Sequence, residues 1–83
     1  MKTEDILIGF FNLIKDYKMI MEVKVNKNKR LNDKIFIKIY YDEYTEEYLY
    51  MIKNYFENIK DIELNVENEI LVKKIEITVI KND

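Results

Sequence analysis

The chain has 83 residues, 48% of them hydrophobic and 36% charged, with a formal charge of −2. It has no Cys and no His, which excludes disulfides, thiolate or imidazole metal sites, a cysteine nucleophile and the usual general base. Mixed charge at this hydrophobic content describes a folded, solvated surface, and the net charge of −2 argues against a general polyanion binder.

Ser, Ala, Gln, Trp and Pro are also missing, and the single glycine is Gly9. An AT-rich genome favours Lys, Asn, Ile, Tyr and Phe codons and produces this bias without a functional cause. The seven tyrosines therefore carry an argument only through their positions. We expect one α+β domain over 1–83. A domain of this size buries only roughly 60% of its unfolded surface, so it is marginally stable and helped by a partner.

Thr3 is expected to cap the first helix, with Glu4 and Asp5 in the positively polarised first turn. Ile6, Leu7, Phe10, Leu13, Ile14 and Tyr17 mark one face, and Lys18 ends the helix. The run 6–14 is too short to span a bilayer. Glu4 and Asp5 also sit where a signal peptide carries positive charge, and no small-residue cleavage site follows, so we expect a cytoplasmic protein.

Residues 19–25 alternate, with Met19, Met21, Val23 and Val25 on one side and Ile20, Glu22 and Lys24 on the other. Residues 26–33 have no apolar period and form a loop. The strand 34–41 points Ile35, Ile37, Ile39 and Tyr41 inward and Phe36, Lys38 and Tyr40 outward. The second helix, 42–59, carries Tyr44, Tyr48, Leu49, Ile52, Tyr55, Phe56 and Ile59 on one face, and Asp42 or Thr45 caps it. A strand over 62–66 follows, then a turn over 67–69 in which Asn68 is best suited to positive φ. A long strand over 70–80 ends the pattern, and 81–83 fray.

The order αββαββ predicts a two-layer sandwich, with both helices on one face of a four-stranded antiparallel sheet. The second and fourth strands are richest in Ile and should be central. The strand order 3-4-2-1 then places each hairpin together, in a permuted ferredoxin-like layout that implies no activity. Ile37, Ile39, Ile52, Phe56, Ile75 and Ile77 should share one core.

The face without helices should carry Ile20, Phe36, Lys38, Tyr40, Val72, Lys74, Thr78 and Ile80, a semi-apolar surface fit for a protein partner. Phe36, Lys38 and Tyr40 are its centre. Ile8 and Phe11 widen the apolar arc of the first helix beside Gly9, a second surface fit for a partner or a homodimer. The alternative is a single-stranded nucleic-acid binder that stacks bases on the open face and holds phosphates with the basic 24–34 loop, through Lys27, Lys29, Arg30 and Lys34. Glu22, Glu63 and Glu76 on the same face oppose that reading, and the RNA-binding sheet motif is absent.

Glu43 and Glu47, four apart, could chelate a hard cation and serve a hydrolase, but acids at a helix start are routine dipole partners. No triad or glycine-rich phosphate loop can be built, so we expect no enzyme, no metal, no cofactor, no small-molecule substrate and no membrane association. The expectation is a small non-enzymatic protein-interaction domain. Such chains suit a phage or mobile element as a stoichiometric inhibitor of a host protein. A nucleic-acid-targeting nuclease fits, because acidic patches compete for a basic channel.

Overall fold

Alternation builds the sheet. In β2, Lys34–Tyr41, the odd-numbered residues Ile35, Ile37, Ile39 and Tyr41 are buried while Lys34 and Lys38 are exposed. The computed structural model describes residues 1–28 and 32–82. Its other elements are α1 (Thr3–Ile14), β1 (Met19–Asn26), α2 (Glu46–Glu57), β3 (Ile62–Glu69) and β4 (Lys74–Lys81). All neighbouring strands are antiparallel, in the order β1-β2-β4-β3.

Both helices cover one sheet face. Ile6, Phe10 and Ile14 of α1 and Met51, Ile52 and Phe56 of α2 join Ile35, Ile37, Ile39, Ile75, Ile77 and Val79 in one core. The six expected core residues are all among them. Each buried Ile or Phe contributes about 1.5–3 kcal/mol by leaving water. Phe10 stacks against Tyr55 and Phe56, with ring centres 5.6 and 5.2 Å away, and ties the helices together. The tyrosines gather at the other end: Tyr41 lies 5.5 Å from Tyr44 and 6.1 Å from Tyr48, and Tyr17 meets Tyr48 edge-on.

Several boundaries differ from the sequence reading. Lys2, not Thr3, is the N-cap of α1, and no side chain caps it. Thr3 is buried and donates its hydroxyl to Asp33 Oδ2 at 2.9 Å, so a tertiary bond replaces the expected cap. α1 stops at Ile14 and not at Lys18, because Tyr17 and Met19 enter tight turns whose N–H groups bond back to Ile14 and Tyr17. Thr45 is the N-cap of α2, which leaves Asp42 and Glu43 outside the helix.

The largest difference lies between β3 and β4. β3 continues through the expected turn to Glu69, and the connection is a 3₁₀ turn, Ile70–Val72. Asn68 keeps the inward phase because Tyr41 donates its hydroxyl to the Asn68 side-chain oxygen at 2.7 Å. Positive φ falls on Lys73 (53°), after the 3₁₀ turn, and on Asp61 (61°), between α2 and β3. Lys73 is anchored there by a bond from the Tyr41 N–H to its carbonyl at 3.1 Å. Val72 therefore does not stand on the sheet face.

Candidate interaction surface

The register sets the open face as four cross-strand rows. Read from β1 to β3 they are Ile20, Tyr40, Lys74 and Glu69; Glu22, Lys38, Glu76 and Glu67; Lys24, Phe36, Thr78 and Asn65; and Asn26, Lys34, Ile80 and Glu63. The rows hold every residue expected on this face except Val72, and add Lys24, Lys34, Glu67 and Glu69 to it. Phe36 and Tyr40 are only half-buried islands among charges, and Lys38 between them is exposed. Tyr40 leans its hydroxyl toward Glu22 at 3.5 Å.

The charges are sorted. β1 and β2 carry Lys24, Lys34 and Lys38 against Glu22, whereas β4 and β3 carry Lys74 against Glu63, Glu67, Glu69 and Glu76. One half of the face is basic and the other acidic. Carboxylate oxygens of Glu67, Glu69 and Glu76 lie within 4.8 Å of one another, a spacing compatible with a cation. Lys74 Nζ already sits 3.0 Å from Glu76 and 3.6 Å from Glu69. Its hydrogen bond holds the Glu76 carboxyl below its ordinary value, and Glu76 in return raises Lys74. An internal ammonium thus offsets the cluster. The pairing of Glu43 with Glu47 fails for a different reason: only Glu47 is helical, so the four-residue spacing does not place them on one helix face.

Of the basic residues expected to meet phosphate, Lys29 and Arg30 lie outside the described residues. Lys27 is committed to Glu4 of α1 in an exposed ion pair, whose hydrogen bond lowers Glu4 and raises Lys27. Lys34 is exposed at the start of β2. The open face therefore brings Lys24, Lys34 and Lys38 around Phe36 and leaves Lys27 at the helix side.

On the open face Ile20 is 70% exposed, and two further groups of exposed apolar side chains stand elsewhere. Ile8 and Phe11, one turn apart on α1, are 59% and 53% exposed. The second group is Ile70, Leu71 and Val72, at 68%, 100% and 58%, of which only Val72 is expected at a surface from the sequence, and there on the open sheet face. Turns normally expose polar residues. Three successive aliphatic side chains instead stand in water on this turn. The signal was available at Lys73–Lys74, where alternation breaks after an unbroken apolar run.

No family model, no curated protein and no solved structure matches the chain. Among the described residues, no helix is long and apolar enough to cross a membrane.

Proposed function

We propose that this is a non-enzymatic protein-interaction domain that acts by occupying a surface on another protein. The observation that carries the reading is the exposed run Ile70-Leu71-Val72, with Leu71 wholly in water. The run sits on a turn pinned by the Tyr41–Lys73 backbone bond and by β3 and β4 on either side. A pre-ordered apolar tip loses little entropy on entering a pocket. Ile8 and Phe11 offer a second contact of the same kind. The acidic half of the open face favours a partner with a basic surface, such as a nucleic-acid-targeting nuclease of a host, inhibited by a phage or mobile-element protein. The layout is that of a permuted ferredoxin-like sandwich, and the function attaches to its tip and helix surface, not to the topology.

The test is affinity capture from the source cell with the parent and with Leu71→Glu. The variant should melt within about a degree of the parent, because the residue is fully exposed. It should lose a protein that the parent retains in a fixed stoichiometry. Equal retention by both would place the contact elsewhere.

One observation favours the alternative, a single-stranded nucleic-acid binder: Lys24, Lys34 and Lys38 surround Phe36 on the basic half of the face. Three phosphate contacts give a slope of log affinity on log salt near roughly −2. Phe36→Ala should weaken such binding by about 1–3 kcal/mol. Absence of binding to single-stranded DNA and RNA at low salt would eliminate it.

A further inference from the structure

We infer that the chain forms a two-fold dimer by pairing β1 with β1 of a second copy. The strands run antiparallel and are centred on Val23, so two four-stranded sheets join into one. This inference stands independently of the reading above, since it uses neither the tip nor α1.

The edge is open and correctly oriented. β1 ends the sheet, and among the described residues no backbone hydrogen bond outside the sheet ladder involves Met21, Val23 or Val25. The Tyr41 N–H bonds to Lys73 on the β4 side. Backbone groups alternate along an antiparallel strand, so Tyr40, Lys38 and Phe36 turn theirs toward β1. Their partners Ile20, Glu22 and Lys24 turn back toward β2. Met21, Val23 and Val25 therefore present N–H and C=O groups to the free edge, as a new strand requires.

The side chains are self-complementary in this register alone. A two-fold axis at Val23 sets Glu22 against Lys24 of the second copy, and Lys24 against its Glu22. On the helix side it sets Met21 against Val25 and Val23 against Val23. Val23 opposes the buried Ile37 in the ladder yet is 41% exposed, whereas Met21 and Val25 on either side of it are partly buried against the core. The second Val23 supplies the missing cover. The other edge behaves differently. β3 presents Glu63, Asn65, Glu67 and Glu69 outward, so any self-pairing sets glutamate against glutamate or asparagine. That edge is guarded by like charge in the usual way, and β1 is not.

Sedimentation velocity over a concentration series tests this. The parent should be a dimer. Glu22→Lys and Lys24→Glu each place like charges opposite one another and should weaken association about tenfold or more. The combined Glu22→Lys/Lys24→Glu chain restores both pairs and should dimerise again. A monomeric parent at the highest concentration, or a dimer indifferent to both single changes, would overturn the inference. Amide hydrogen exchange on the unaltered chain gives a second reading that needs no variant. Met21, Val23 and Val25 should be protected when concentrated and exchange freely on dilution. Free exchange at every concentration also overturns it.

Discussion

Tyr55 donates its hydroxyl to the Ile6 carbonyl at 2.7 Å, in the space that a side chain at Gly9 would need. A Cβ at Gly9 would lie 2.5 Å from Tyr55 Oη and 3.3 Å from the ring carbon that bears it. The only glycine of the chain therefore sits where α2 reaches over α1. A helix-interior glycine costs about 1 kcal/mol relative to alanine. The return is a hydrogen bond between the helices and room for the Tyr55 ring against Phe10.

Gly9→Ala should consequently destabilise the fold by about 1 kcal/mol, since overpacking and a lost bond exceed the gain in propensity. In a Tyr55→Phe background the closest contact is gone, and the same substitution should cost less or stabilise. Urea unfolding of the four chains measures the coupling. Full additivity would mean that the two residues do not confine each other.

Burial raises the Tyr55 phenol above its ordinary 10.0. The folded state then favours the neutral form, so this contribution is present below pH 10 and lost as pH rises through the folded value. The melting temperature of the parent should fall above pH 10 more steeply than that of Tyr55→Phe. Lys74 shifts in the same direction, and comparing these two chains isolates the tyrosine. Parallel curves would contradict the assignment.

Thr3 ties the start of α1 to the β1–β2 connection through Asp33. Thr3→Val keeps the shape and removes the donor. It should cost about 1–3 kcal/mol, because a carboxylate loses a charge-assisted bond. Chemical denaturation checks this, and an unchanged midpoint would show that water replaces the hydroxyl.

In the core, Ile37→Ala and Phe56→Ala should each cost about 2–5 kcal/mol, enough to unfold a marginal domain. Circular dichroism melts decide it. A shift of a degree or two would mean that the sheet phase differs from the one described.

The legible part of the fold was the part set by period. Alternation at Ile35, Ile37 and Ile39, and helical spacing at Ile52 and Phe56, required a sheet with helices on one side. What escaped was governed by single tertiary bonds. Asn68 has the chemistry of a turn residue, yet the Tyr41 hydroxyl, distant in sequence, satisfies it within β3. That bond moves the turn onto Ile70-Leu71-Val72, whose composition reads as strand. Thr3 likewise looked like a cap because Asp33 cannot be seen as its neighbour in the sequence. Of the candidate surfaces, the exposure of Ile8 and Phe11 followed from helical phase. The mixed character of the open face needed the register, because Glu67 and Glu69 reach that face only through the added length of β3.

The most direct test of the central claim is cross-linking from the tip inside the source cell. A photoreactive residue replaces Leu71, and a control replaces Glu57, exposed on α2. We expect position 71 to give one discrete adduct with a second protein and position 57 to give none. No adduct at 71, or the same diffuse products from both positions, would contradict a function exercised through this surface.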